Sequence, residues 1–134
     1  MATLLEHGGK IELGGGWSTK LPPSYYEQNP DGSWASWGAD WALDVQIIEV
    51  AGDSNGHPVL AEKMLGPDRT ANSSGPGWIG EVVILAEEDA GRTVYRLAAT
   101  LAANNTLCSF WVSYFDEVQR PFAEMLVQGA AHGG

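Results

Sequence analysis

The stretch from Trp78 to Ala131 constrains this chain most, because it reads as three long strands followed at once by one amphipathic helix. Ile79–Glu87 is rich in β-branched residues and runs into the acidic turn Glu88-Asp89-Ala90-Gly91. Thr93–Ala103 alternates Val94 and Arg96 against Tyr95 and Leu97, and Thr106–Phe115 is aromatic and β-branched. Asn104-Asn105 lies between them, and Asn tolerates the positive φ of a tight hairpin turn. In the third strand Leu107, Ser109, Trp111, Ser113 and Phe115 point one way, while Cys108, Phe110, Val112 and Tyr114 point the other. Both sets carry large apolar groups, so the pattern predicts a central strand covered on both faces.

The helix follows from its own pattern. Asp116 is placed to cap it or to turn into it, and Pro121 suits a first helical position, where its missing N–H costs nothing. Phe122, Met125 and Leu126 then fall at i, i+3, i+4, which is read as a stripe packed on the sheet rather than a partner-binding helix. Gly129 marks the end.

The first half is less regular. Lys10–Leu13 is a short strand closed by Gly14-Gly15-Gly16, and Trp17 follows. The Leu21-Pro22-Pro23 stretch is too proline-rich for a central strand. Ser24–Glu27 is a short strand before the turn Asn29-Pro30-Asp31-Gly32. A longer strand runs to about Val50, with Trp41, Leu43, Val45 and Ile47 on one face and Asp44, Gln46 and Ile48 on the other. Beyond it lie a loop at Asp53-Ser54-Asn55-Gly56, a short helix over Val59–Leu65, and a surface loop from Gly66 to Gly77. The expected architecture is α+β: one domain over 1–134, with a twisted antiparallel sheet of about six strands flanked by helices. Loose ends are expected near 1–8 and 130–134.

Charge and chemistry exclude more than they identify. Seventeen acids against seven bases give a net charge of −10, with no Lys/Arg cluster to displace counterions from phosphates. Nucleic-acid binding is therefore disfavoured. The single cysteine, Cys108, excludes an internal disulfide and sits within a strand, where it reads as a buried inert thiol. No basic-then-apolar leader and no apolar run of membrane-spanning length are present, so a cytoplasmic protein that does not enter membranes is expected. In that compartment Asn72-Ser73-Ser74 and Asn104-Asn105-Thr106 match the glycosylation pattern by chance.

No catalytic motif emerges. His7, His57 and His132 lie in the N-terminal arm, a loop and the tail, and Asp53 with His57 lacks further ligands for a metal. Asp40 and Asp44 share a strand face only if that strand begins by residue 40. Gly14-Gly15-Gly16 lacks the helix and the Lys-Ser/Thr of a phosphate loop, and Ser73-Ser74-Gly75-Pro76-Gly77 lacks the strand–turn–helix of a nucleophile elbow. No cofactor or metal is expected. The candidate binding surface is Trp34, Trp37 and Trp41, which line a groove if they are not a core layer with an edge ring. Trp17 and Trp78, each after a Gly-rich turn, are expected to cap the sheet ends.

The order of elements carries a resemblance. A short N-terminal strand leads to Gly16-Trp17, and a strand bearing Val45 and Ile47 follows. A short helix near Leu60–Leu65, three long strands over Ile79–Phe115 and a helix beginning near Phe122 complete the order. This resembles the Mog1/PsbP-like superfamily, including small bacterial proteins related to DcrB. The resemblance implies a sheet sandwiched by helices and a role in binding proteins, since members include a Ran-binding import factor, a photosystem subunit and chaperones for secreted effectors. The expected function is a non-enzymatic bacterial protein-binding domain of the cytoplasm, an adaptor or a chaperone for a secreted effector, whose partner is another protein. A homodimer paired through an exposed strand edge is a further arrangement. The alternative is a small-ligand binder or enzyme, with an aromatic pocket on a curved sheet drawn from Trp34, Trp37, Trp41, Trp111 and Tyr114.

Overall fold

Two antiparallel sheets and one short helix make up the structure, a computed structural model that describes residues 2–49, 73–103 and 106–133. The strands are β1 (Thr3–Leu5), β2 (Gly9–Gly14), β3 (Trp17–Leu21), β4 (Ser24–Gln28), β5 (Trp34–Trp37), β6 (Trp41–Glu49), β7 (Ser73–Gly75), β8 (Trp78–Asp89), β9 (Arg92–Ala103), β10 (Thr106–Tyr114) and β11 (Ala131–His132). A 3₁₀ turn over Glu117–Gln119 leads into the helix α1 (Arg120–Gln128). The large sheet has the order β1-β4-β5-β6-β10-β9-β8-β7, and the small one β11-β3-β2.

Eight strands and a second sheet of three replace the single sheet of about six expected from the sequence. The additional strands are mostly two or three residues long, too short for an alternation to declare itself. In β3 the prolines are not an obstacle, because the strand ends at Leu21 and Pro22-Pro23 follow it. The expected loop at Asp53–Gly56, the helix over Val59–Leu65 and the turn at Asn104-Asn105 lie outside the described residues. So does the expected loop from Gly66 onward, up to Ser73–Gly75, which forms β7.

Local chemistry fixes the hairpins. Asp89 pairs with Arg92, so the β8–β9 turn holds only Ala90 and Gly91, at φ 53° and 80°. Two positive φ values in sequence are what a right-twisted two-residue hairpin requires. The triglycine likewise makes a turn: Gly14, Gly15 and Gly16 all have positive φ, next to a register shift between Glu12 and Gly14. It joins β2 to β3.

The core lies between the large sheet on one side and the small sheet with α1 on the other. From β6, β9 and β10 come Leu43, Val45, Leu97, Ala99, Leu101, Cys108, Phe110 and Val112. Leu13, Trp17 and Leu21 of the small sheet face them, with Ala123, Leu126 and Val127 of α1. Burial at this density is the main term holding such a domain together. Asp116 accepts from the Val118 amide at 3.1 Å, and Gln119 Oε1 accepts from the Asp116 amide at 3.0 Å, a reciprocal cap at the 3₁₀ turn. Gly129 follows the helix as expected. The stripe is shifted, however: Leu126 is buried and Phe122 packs on Trp41, but Met125 is 53% exposed. Ala123 and Val127 take its place, so the inward stripe runs through Ala123, Leu126 and Val127.

Both faces of β10 were expected to be covered. Among the described residues only one is. Cys108, Phe110, Val112 and Tyr114 are buried, whereas Trp111 is 48% exposed on the other side. The only described helix packs on the core side, against β3, β9 and β10.

Candidate functional site

The uncovered face of the large sheet can be built row by row from strand register. One row runs Tyr25, Trp37, Ala42, Ser113, Arg96, Leu85 across β4, β5, β6, β10, β9 and β8. The next runs Glu27, Ala35, Asp44, Trp111, Ala98, Val83. Further along, Ile48, Leu107, Ala102 and Ile79 make an apolar row across β6, β10, β9 and β8. Small side chains (Ala35, Ala42, Ala98, Ser109, Ser113) therefore surround Trp111, with large apolar ones at the margins.

Exposure marks the same face. Leu4, Tyr25, Ile48, Val83, Leu85, Trp111 and Phe115 are large hydrophobic residues left open to solvent; the register places the first six on this side, and Phe115 follows the end of β10. Val118 and Met125 are the other such residues among those described, and both belong to the C-terminal helical segment. Tyr25 stacks on Trp37 with ring centroids 6.0 Å apart and planes 18° apart. Beside this stack, Leu4, Leu5, Pro23, Tyr25, Trp37 and Ala39 line an open depression of about 540 Å³. Arg92 lies 3.9 Å over the Phe115 ring at the opposite margin. Strand spacing of about 4.8 Å and a two-residue offset along the strands put Trp37 and Trp111, two strands apart, about 12 Å from each other on the sheet.

The candidate trio Trp34, Trp37 and Trp41 is not brought together. Trp34 pairs with Val45 on the core side, donates its indole N–H to the Leu13 carbonyl at 3.2 Å and meets Tyr26 at 6.3 Å. Trp41 sits opposite Tyr114 and packs on Phe122 at 5.2 Å. Trp37 alone faces outward. The five residues of the expected aromatic pocket are likewise split, with Trp34, Trp41 and Tyr114 on the core face and Trp37 and Trp111 on the open one, so no single cavity collects them all. Trp17 and Trp78 are core residues rather than end caps: Trp17 is fully buried, and Trp78 donates to the Ala130 carbonyl at 2.9 Å.

Among the described residues the titratable side chains named from the sequence do not come together. β6 begins at Trp41, so Asp40 stays outside the strand and does not pair with Asp44 on its face. His132 Nε2 lies 3.0 Å from the Gly15 carbonyl, with its ring edge-on to Trp17 at 5.0 Å, a packing role between β3 and β11. Asp53 and His57 are outside the described residues. Cys108 is fully buried, and desolvation pushes its thiol well above the ordinary range, so it is not a nucleophile. Among the described residues no group of three or more His, Cys, Asp or Glu could hold a metal ion, and no helix is long and apolar enough to cross a membrane.

Tyr25 and Trp111 were absent from the candidate surface read from sequence. A signal existed for Trp111. Its neighbours at i−2 and i+2 are Ser109 and Ser113, and the matching face of β6 carries Asp44 and Gln46, as a wet sheet face does.

A mostly antiparallel sheet backed by a smaller sheet and a C-terminal helix is the class of fold these elements define. It is Mog1/PsbP-like. A crystal structure from Bacteroides thetaiotaomicron VPI-5482 matches at a TM-score of 0.69 and 12% identity, covering 96% of this chain and 49% of that one. The chain thus spans about half the length of that protein. The solution structure of cyanobacterial PsbP (CyanoP) from Synechocystis sp. PCC 6803 matches at a TM-score of 0.50 and 11% identity, covering 96% of this chain and 94% of that one. At such identities the likeness is one of fold. No family model matches the chain, and no curated protein does.

Proposed function

We propose that this chain is a non-enzymatic protein-binding domain that docks a partner protein on the open face of its large sheet. The observation carrying this reading is Trp111, 48% exposed at the centre of a face that also bears Tyr25, Trp37, Val83 and Leu85. Aromatic anchors among small side chains, with Asp44 opposite Trp111 and Arg96 in the next row, combine the apolar contact and polar pairing that a binding hot spot uses. Large exposed apolar side chains gathered on one face mark an interaction site more often than singly scattered ones do. Within this reading the role is that of a cytoplasmic adaptor or a chaperone for a secreted effector, consistent with the Mog1/PsbP-like fold.

The test is co-purification from native cells with the wild-type chain and with the paired variant Trp37→Ala/Trp111→Ala. A specific protein recovered with the first and lost with the second supports the proposal. Equal recovery with both places the docking surface elsewhere, and repeated recovery of no protein overturns the reading.

A further inference from the structure

Asp31-Gly32, in the turn between β4 and β5, is the only Asp-Gly dipeptide of the chain, and both residues are exposed. An aspartyl carboxyl is most open to attack by the next main-chain nitrogen when that residue is glycine, which has no Cβ to hinder the approach. The chemistry is internal and needs only water. Gly32 N attacks Asp31 Cγ, an N–Cγ bond closes a succinimide ring, and the carboxyl hydroxyl leaves with the amide proton as water. Water then opens the ring at either carbonyl. Addition at Cγ restores Asp31, whereas addition at the main-chain carbonyl breaks its bond to Gly32 N. The chain then runs through the Asp31 side chain, an isoaspartate with one more methylene in the backbone.

The turn restrains both reacting groups. Gly32 N–H donates to the Asn29 carbonyl at 3.0 Å, a bond it must release before its nitrogen can attack. The Ser33 amide and the Ser33 hydroxyl both donate to Asp31 Oδ1, at 2.9 and 2.6 Å. Asn29 Nδ2 donates to Ser33 Oγ at 3.0 Å, which leaves that hydroxyl proton free to point at the carboxylate. The Asp31 carboxyl is held below its ordinary pKa, chiefly by the Ser33 hydroxyl and then by the Ser33 amide; no neighbouring charge contributes. Only the protonated carboxyl has a hydroxyl to lose. A group kept ionised is therefore kept unreactive.

We propose that Asp31-Gly32 is a succinimide-forming modification site that the Ser33 hydroxyl keeps latent in the folded chain. Isoaspartate at this position lengthens the main chain inside the turn. It thereby breaks the closure in which Asn29 N–H donates to the Ser33 carbonyl at 2.8 Å, next to the pairing of Gln28 with Trp34. The hairpin that loosens is the one carrying Tyr25 and Trp37. The site itself does not rest on the protein-binding reading.

The test ages wild type, Ser33→Ala and Ser33→Thr over a series of mildly acidic to neutral pH values, with wild type unfolded in guanidinium as the unrestrained reference. Digestion with a protease that cuts before Asp but not before isoaspartate, followed by mass spectrometry, reads position 31 separately from Asn55-Gly56. Isoaspartate should accumulate at position 31 in the unfolded reference and much more slowly in folded wild type. Ser33→Ala should raise the folded rate about fivefold, the effect of one hydrogen bond of ordinary net strength. Ser33→Thr, which keeps the hydroxyl, should age like wild type. The rate falls as the carboxyl ionises with rising pH, and in Ser33→Ala that fall should come at higher pH, a shift that mere loosening of the turn does not produce. An unreactive unfolded reference overturns the proposal, as does folded wild type that ages as fast as that reference. So does Ser33→Ala ageing like wild type, or ageing faster with its pH midpoint unmoved.

Discussion

Trp17 donates its indole N–H to Thr106 Oγ1 at 2.8 Å, a buried hydrogen bond joining the small sheet to the start of β10. The same hydroxyl donates onward to the Ala103 carbonyl at 2.8 Å, so one side chain satisfies the indole and closes the β9–β10 connection. Thr106→Val keeps the shape but leaves the indole donor buried without an acceptor. Its expected cost is about 1–3 kcal/mol, with Thr106→Ser recovering most of it. Urea unfolding of the three proteins is the check, and a Val variant as stable as wild type removes this bond from the account.

Adjacent residues of β10 should respond oppositely to truncation. Phe110 is fully buried and Trp111 is 48% exposed. Phe110→Ala is expected to cost about 3–5 kcal/mol. Trp111→Ala, despite the larger side chain, should cost below about 1 kcal/mol. Denaturant midpoints measure both, and a Trp111→Ala loss near that of Phe110→Ala means that the outer face is covered in solution.

Ala90 occupies the left-handed region at φ 53°, where its Cβ crowds the backbone. Asn accepts this conformation more readily and is the usual residue in such a turn. Ala90→Asn is therefore expected to raise stability by about 1 kcal/mol. A lowered melting temperature would show that the β8–β9 turn adopts another geometry.

The Tyr114 hydroxyl is buried without a hydrogen-bond partner among the described residues, while its ring stacks on Tyr95 at 5.4 Å. Tyr114→Phe should raise neutral-pH stability by up to about 1 kcal/mol, by removing an unsatisfied group. Desolvation, the largest influence on this phenol, raises its pKa above the ordinary value. Above about pH 10 the unfolded chain thus gives up a proton that the folded chain retains, so stability falls as pH rises through that range. The Phe variant should lose less between about pH 8 and pH 11, measured as the difference between the two unfolding curves. Cys108 adds its own alkaline slope to both proteins and cancels in that difference. Parallel curves would assign the alkaline loss to other groups.

The long strands were legible because their alternation is long. β6, β8, β9 and β10 fall within a few residues of the expected boundaries, and Cys108 sits where the strand pattern puts it. β1, β7 and β11 contain two or three residues each, too few for a period, and they form because a neighbouring strand offers hydrogen bonds. The tryptophan cluster was readable further than it was read. Trp34 and Trp37 are three residues apart, an odd spacing that sends them to opposite faces of any strand. The open face of β10 was obscured by counting the size of Trp111 rather than the smallness of Ser109 and Ser113 beside it.

The pairing of Ala131 with Ser18 and His132 with Trp17 has a consequence for biosynthesis. The β2–β3 hairpin leaves the ribosome early, yet its third strand and the acceptor for the Trp17 indole belong to segments made much later. Until Thr106 and His132 emerge, the Trp17 ring, fully buried in the native fold, lacks its hydrogen-bond acceptor and its edge-on neighbour. High contact order of this kind slows folding and prolongs the exposure of nascent apolar surface. The small sheet therefore cannot complete its pairing until the C-terminal segment has been made, although its first strands are among the earliest to be synthesised.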